Sequence, residues 1–335
     1  MSKPLKLQYQ YNARYDYYII EAWRGLKHPL PAYTPEMVER HTATVMKQPC
    51  VLPTPSGDDQ GVIGMTNGWP RNGDYPDDPV IPRQKVIAYR ITDSKSRSAK
   101  IKVMLACGQH AFEFTGNWVL EGMVDFLVSD DPRAIALRQN AEFFVYPDLN
   151  PDGRYQAIHG LAFQAAQDPN VGTNLRMRGN PEIYAAGERD HNRLWETNGK
   201  FSTIDLFKAT WLKDTGGEAE YFWDIHGPQQ TGNWRTPRAE ARTNRYAEAL
   251  MQREPEVIRC GPESGFKVKV AAGPPGKLML YAMSGQGLRV RYPYIYEPGG
   301  WTMERLFDSG RNLMLALYDA IGDRKSGAAN ASLLA

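Results

Sequence analysis

Between residues 101 and 154 the spacing of apolar positions changes period twice. Ile101 to Cys107 is apolar apart from Lys102, a short continuous run that predicts a buried strand. Trp118, Val119, Leu120, Met123, Val124, Leu127 and Val128 then recur at helical spacing and predict a helix with one apolar face. Phe143 to Tyr146 predicts a second strand, which stops at Pro147 and runs into Asn150-Pro151-Asp152-Gly153. The polar residues gather at the junctions. A turn-like Gly108-Gln109 after the first strand delivers His110 and Glu113, three residues apart. The order is strand, polar group, helix, strand, polar group, which predicts an α/β fold with chemistry at the carboxyl ends of its strands.

The same reading extends in both directions. Pro35 to Met46 predicts a helix capped by Thr34, and Tyr15 to Trp23 fits either strand or helix. Residues 49–82 are rich in Gly, Pro, Asn and Asp and read as a surface loop or insertion edge with room for a hairpin. Val86–Ile91 and Ile101–Cys107 are expected to form a hairpin across a polar connection. Downstream, a helix is expected over Tyr155–Ala166, followed by a long polar loop carrying Arg176, Arg178, Arg189, Asp190, Asn192 and Arg193. Ser202 or Thr203 caps a helix running to Leu212, and Glu220–Ile225 is a strand that ends at His226-Gly227. A polar-faced helix is expected over Arg235–Gln252, and strands over Phe266–Ala271, Leu278–Ala282 and Leu288–Tyr296. The last of these strands ends at Glu297-Pro298-Gly299-Gly300, and an amphipathic helix over Thr302–Ile321 closes the fold.

Composition narrows the class. With 335 residues the chain can bury a substantial core, and 42% hydrophobic with 23% charged residues is ordinary for a globular protein. A formal net charge of +2 leaves no electrostatic footprint for nucleic acid. No apolar run reaches membrane-spanning length, and the first residues lack the apolar stretch of a signal peptide, so the cytoplasm is the expected location. Cys50, Cys107 and Cys260 are too few and too scattered for a disulfide scaffold, and Cys107 reads as a buried thiol. The 30 Gly and 24 Pro, set beside 8 Trp and 18 Tyr, predict long ordered loops packed by aromatic rings.

Four strand ends therefore carry His110 with Glu113, Asn150 to Gly153, His226, and Glu297. Two imidazoles and a carboxylate form a common catalytic zinc set that leaves one position open. Taken singly, each has a plainer explanation: a surface or cap pair for His110 and Glu113, a packed residue beside Trp223 for His226, a surface ion pair for Glu297. Glu304 is a rival carboxylate, placed by the pattern on the exposed side of the last helix.

In this order the elements resemble the zinc carboxypeptidase family, the carboxypeptidase A-like metallopeptidases. The resemblance rests on Gly108-Gln109-His110-Ala111-Phe112-Glu113, Asn150-Pro151-Asp152-Gly153, Asp190-His191-Asn192-Arg193, Asp224-Ile225-His226 and Glu297, and it covers roughly residues 84–325. It implies a single α/β domain with a mixed, mostly parallel central sheet flanked by helices, a phosphorylase/hydrolase-like carboxypeptidase fold. Residues 1–83 would be an N-terminal extension packed on the domain or forming its rim, residues 84–325 the catalytic domain, and 326–335 a flexible tail.

The resemblance further implies one Zn²⁺ per chain held by His110, Glu113 and His226, with Glu297 as general base. Arg176, which follows a Gly-Thr-Asn-Leu turn, would stabilise the oxyanion, with Arg178 a close second and otherwise a substrate-binding residue, while Asn192 and Arg193 would hold the free carboxylate of a peptide or acyl-amino acid. Two departures bear on specificity. The basic residue that the family places before the ligand glutamate is Phe112 here. The substrate-covering tyrosine has no secure counterpart, Tyr292 and Tyr294 being the candidates. A C-terminal peptide bond is the expected substrate, with N-acyl amino acids or cell-wall peptides as the amidohydrolase alternative. A non-catalytic binding protein of the same fold is the remaining one.

Overall fold

A computed structural model describes residues 33–68, 82–110, 113–159, 192, 195, 202–227, 232–260 and 288–321. Predicted segments 15–23, 160–166, 266–271 and 278–282, the tail 326–335, and the arginines of the long polar loop lie outside the described residues.

The run Ile101–Cys107 forms strand β5 of an eight-stranded sheet. In chain order the other strands of that sheet are β1 (Val51–Pro53), β4 (Tyr89–Ile91), β6 (Ala141–Tyr146), β7 (Glu218–Ile225), β8 (Asn233–Arg235), β9 (Ile258–Arg259) and β10 (Arg289–Glu297). Their spatial order is β1-β4-β6-β5-β7-β10-β8-β9. The four central strands β6, β5, β7 and β10 are mutually parallel. β1, β4 and β8 run antiparallel to the neighbours that join them to this centre. The expected α/β architecture with a mixed, largely parallel sheet is present.

The sheet is covered on both faces, and alternation along the strands shows how. Val103, Leu105 and Cys107 of β5 enter one core cluster with the helices α2 (Phe114–Val128), α7 (Arg245–Arg253) and α8 (Met303–Ile321). Met104 and Ala106 enter the other cluster with Ile204, Phe207 and Trp211 of α5 (Ser202–Thr215). A strand buried on both sides has no polar face, which is why Ile101–Cys107 reads as a continuous apolar run. Each fully buried Val, Leu or Met here contributes roughly 1.5–3 kcal/mol relative to exposure.

α1 (Pro35–Val45) starts where the pattern predicted. Thr34 accepts a hydrogen bond from the N–H of Met37 at 3.2 Å, and Pro35 occupies the first turn, where its missing N–H costs nothing. Its residues Met37, Val38 and Val45 join the core cluster of α2.

Three expectations are corrected. Val86–Ile91 and Ile101–Cys107 do not pair as a hairpin. The first run breaks at Ala88 into β3 (Lys85–Ile87) and β4, and β6 lies between β4 and β5. Both neighbours of β5 are parallel to it, and the crossover through α2 and α3 (Pro132–Asn140) places β6 on one of its edges. Residues 49–82, expected as a surface loop or insertion edge, contribute two strands, and 69–81 lie outside the described residues. β1 joins the main sheet, while β2 (Val62–Met65) pairs with β3 in a separate two-stranded sheet. The helix expected over Arg235–Gln252 is instead the end of β8, a short helix α6 (Ala239–Arg242), and α7. Pro237 interrupts the run near its start, and Asn244 caps α7 by accepting from the N–H of Ala247 at 2.8 Å.

Candidate metal centre

The site is assembled at the carboxyl ends of the parallel strands. β5 stops at Cys107, and Gly108 turns the chain with φ 83°. A Cβ there would lie 2.5 Å from Asp148 Oδ1 and 2.6 Å from Arg154 Nη2, so only glycine fits the exit. Those two groups form a buried ion pair, Arg154 Nε donating to Asp148 Oδ2 at 2.6 Å. Asn150 ties this frame together: its amide donates to the Gln109 carbonyl at 3.2 Å, and its Oδ1 accepts from the N–H of Gly153 at 3.1 Å. Asn150-Pro151-Asp152-Gly153 thus opens helix α4 (Pro151–His159), earlier than the helix start expected at Tyr155. Asp152 is buried and accepts from Thr66 Oγ1 at 2.6 Å and from the Gly68 N–H at 3.0 Å. This motif frames the site and presents no reactive group to it.

Glu113 is the residue at the N-cap of α2, yet its carboxylate makes no capping bond. It faces the two histidines. His110 Nδ1 is 2.8 Å from Glu113 Oε1, His226 Nδ1 is 2.8 Å from Glu113 Oε2, and the two Nδ1 atoms are 3.2 Å apart. His226 is brought there by α2 itself. A Cβ on Gly116 would stand 2.5 Å from the His226 carbonyl oxygen and 3.1 Å from Cys107 Sγ, and one on Gly227 would collide with Thr115 Oγ1. Two glycines therefore let the first turn of the helix touch the end of β7.

The electrostatics follow from this convergence. Burial raises the Glu113 pKa, but the imidazoles of His110 and His226 outweigh it and bring it to about 2. Burial lowers the His226 pKa, and the carboxylates of Asp224 and Glu113 overcome that and hold it well above its ordinary value. Asp224 lies 3.0 Å from His226 Nε2, so the Nδ1 of that ring is the nitrogen turned toward Glu113 and His110. Cys107 is fully buried, as expected, and its thiol is pushed well up by desolvation.

His110, Glu113 and His226 are the one group of His, Cys, Asp and Glu side chains among the described residues placed to share a metal ion. Ligands about 2.0–2.1 Å from a tetrahedral zinc stand roughly 3.4 Å apart. Donor separations of 2.8–3.2 Å already approach that value, and two nitrogens with a carboxylate oxygen suit zinc. His110 is the most open of the three, its side chain 16% exposed against 5% for His226. The donor set fits the ion, and three ligands leave the fourth tetrahedral position to water or substrate.

Glu297 ends β10, and β10 lies beside β7 with Tyr296 opposite Ile225, so Glu297 and His226 leave neighbouring strands at the same level. The Glu297 carboxylate is held by Arg235, and by Asn233 Nδ2 at 3.3 Å, both on β8. Glu304 is exposed on α8, as expected. Asn192 is buried. Arg176, Arg178, Arg193 and Phe112 lie outside the described residues. Tyr292, a candidate for the substrate-covering ring, stands on β10. It lies five residues before Glu297, roughly 17 Å back along the strand, and packs on Tyr221 with ring centroids 5.1 Å apart. Tyr294 is likewise committed, donating to the Ala241 carbonyl at 2.9 Å within the core.

Four residues at the site were given no role of their own by sequence, although Gln109 and Asp224 stand inside the motifs quoted above. Asp224 stands two positions before His226, a spacing that puts both on one side of the strand and could have drawn attention. Gln109 was visible only as part of a turn, and Asn233 and Arg235 not at all, because the contacts of all three join segments far apart in the chain.

Comparison with known proteins agrees with this geometry. The model of the peptidase M14 family, described as zinc carboxypeptidase, matches residues 83–260, a little over half of the chain. Mouse (Mus musculus) cytosolic carboxypeptidase 4 is 31% identical over 128 residues, covering 37% of this chain and 9% of that protein. Zebrafish (Danio rerio) cytosolic carboxypeptidase 1 is 28% identical over 144 residues, 42% of this chain and 10% of that protein. The chain thus spans about a tenth of the length of these curated relatives. The fold matches that of a metallo-carboxypeptidase from Burkholderia cenocepacia, with TM-score 0.57 and 18% identity over 86% of this chain and 69% of that one. It also matches carboxypeptidase A from Helicoverpa armigera, with TM-score 0.57 and 14% identity over 93% of this chain and 80% of that one. Among the described residues no helix is long and apolar enough to cross a membrane.

Proposed function

Because this chain belongs to the zinc carboxypeptidase family, we propose that it is a zinc-dependent metallocarboxypeptidase that hydrolyses the C-terminal peptide bond of its substrate. The observation that carries this reading is the convergence of His110 Nδ1, Glu113 and His226 Nδ1 beside the strand that ends at Glu297. These three side chains would hold the ion. When bound, zinc supplies a Lewis acid for the scissile carbonyl and lowers the pKa of water.

The chain's own groups do the rest. Glu297 accepts the proton of the attacking water and delivers it to the leaving amide nitrogen. Arg235 and Asn233 orient that carboxylate at the strand end. Arg176 or Arg178 stabilises the charge that develops on the carbonyl oxygen, and Asn192 with Arg193 holds the substrate's terminal carboxylate. Residues 84–325 form the catalytic unit, and the pairing of β1 with β4 supports reading the preceding segment as its rim.

The test is direct. The chain should bind one zinc ion and cleave peptides with a free C-terminus much faster than the same peptides amidated. Equal rates on both would reject exopeptidase action in favour of general amide hydrolysis. Failure to bind zinc under metal-replete conditions would reject both.

A further inference from the structure

We infer that Gln109 is a positioning residue that orients the metal-ligand imidazole of His226 and couples it to Trp195, three residues beyond Asn192. The inference rests on the metal reading of His226 given above and extends it to a chain of four buried side chains. Trp195 Nε1 donates to Gln109 Oε1 at 2.9 Å. Gln109 Nε2 donates to both oxygens of Asp224, at 2.9 and 3.0 Å. Asp224 Oδ2 lies 3.0 Å from His226 Nε2. All four residues are buried.

The amide at position 109 has only one workable orientation. An indole N–H can only donate, so the atom facing Trp195 must be the oxygen. A carboxylate can only accept, so the atom facing Asp224 must be the nitrogen. Neither glutamate nor a hydrocarbon satisfies both ends: glutamate would set a second carboxylate against Asp224, and leucine would leave a buried indole N–H and a carboxylate each short of a partner. Asp224, held through both oxygens, is then fixed to receive the Nε2 proton of His226 and to leave Nδ1 as the donor toward the metal position.

The geometry also carries a link toward substrate. Trp195 is stacked on Trp211 with centroids 5.1 Å apart and planes 10° from parallel, so its indole N–H is aimed by the core. Asn192, the group proposed for the substrate carboxylate, precedes it by three residues. Gln109 itself is the neighbour of His110 in sequence. One amide thus touches the turn of the first ligand, the strand-end aspartate behind the third, and the segment of the carboxylate-binding asparagine.

The experiment measures zinc affinity by competition with a chromophoric chelator, together with the visible spectrum of the cobalt(II)-substituted chain. Gln109→Leu is expected to weaken zinc binding by roughly 10–100-fold and to shift the cobalt bands. Trp195→Phe removes the N–H together with the five-membered ring while keeping a six-membered ring beside Trp211 and leaving Gln109 and Asp224 in place, so it gives a second reading even if Gln109→Leu does not fold; a loss of about threefold or more is expected, and the double variant with Asp224→Asn separates the lost N–H from lost packing. In an Asp224→Asn background, Trp195→Phe should add no further loss, because the chain is already cut. Zinc affinity within about twofold of the unaltered chain in Trp195→Phe, with an unchanged cobalt spectrum, would overturn the inference. Additive losses in the double variant would overturn it too. Absence of zinc binding by the unaltered chain would instead reject the metal reading beneath it.

Discussion

The backbone N–H of His226 donates to the carbonyl oxygen of Tyr296 at 2.8 Å. That bond continues the β7–β10 ladder by one step beyond the last residue of β7, and it sets the level at which Glu297 emerges. The third donor and the proposed base are therefore placed by one parallel register rather than by a loop. Glu297→Gln keeps the size and one acceptor oxygen for Arg235 while removing the proton acceptor. It should lower kcat by roughly 10²–10⁴-fold with zinc stoichiometry unchanged. Steady-state kinetics beside metal analysis checks this, and an unchanged kcat would remove Glu297 from the role of base.

Gly116 is predicted to be essential for metal binding although it touches no ion. In an exposed helix, Gly→Ala gains about 1 kcal/mol. Here the added methyl would meet the His226 carbonyl at 2.5 Å, and overpacking of this kind costs about 1–3 kcal/mol. The collision wins. Gly116→Ala should lower the denaturation midpoint and weaken zinc binding, because the helix start and the β7 end must separate. A variant more stable than the parent, with normal zinc affinity, would contradict this.

The Arg154–Asp148 pair is buried at both ends, and the guanidinium lies 5.8 Å from the centroid of the Tyr33 ring and 5.4 Å from that of Phe114. Its Nη1 also donates to the Tyr33 carbonyl at 3.2 Å. Arg154→Met would leave the Asp148 carboxylate unpaired in the core, a loss of about 3–5 kcal/mol. Arg154→Met with Asp148→Leu should be much less damaging than the sum of the single changes. Urea denaturation of the three variants measures the coupling.

His41 supplies a pH dependence remote from the metal position. It is buried on α1, 3.8 Å from Glu121 and 3.7 Å from Asp125 of α2, with Tyr33 bonded to Glu121 and Tyr89 packed in the same core cluster. Burial lowers its pKa, but the two carboxylates outweigh that and raise it above the ordinary 6.5. A raised folded value means that the stabilisation is fully present below about pH 6.5 and is lost as pH rises through the folded pKa. Unfolding free energy should therefore fall more steeply in the parent than in His41→Asn as pH rises above about 6.5. Parallel slopes for the two chains would show that His41 does not carry the effect.

Much of this was legible in the chain. Ile101–Cys107 and Pro35–Val45 announce themselves by burial on two faces and by a capped amphipathic turn, both local properties. The three metal donors were legible as residues at strand ends because a parallel α/β sheet gathers its carboxyl ends on one edge. The hairpin expected of Val86–Ile91 failed because local alternation does not say which strand lies beside which. The helix expected from Arg235 failed for a related reason: Asn233–Arg235 is drawn into the sheet by β10, a partner more than fifty residues away.

Local chemistry dictated the residue types, the glycine turns, the caps and the period of each segment, because these depend on φ, on side-chain shape and on one buried face. Partnership across the sheet was decided only by the packed structure. There His226 meets Glu113, Arg235 meets Glu297, and Gln109 reaches both Asp224 and Trp195. Such contacts depend on register and sheet order, which arise when separate segments bury their apolar faces together, and no single segment carries that information.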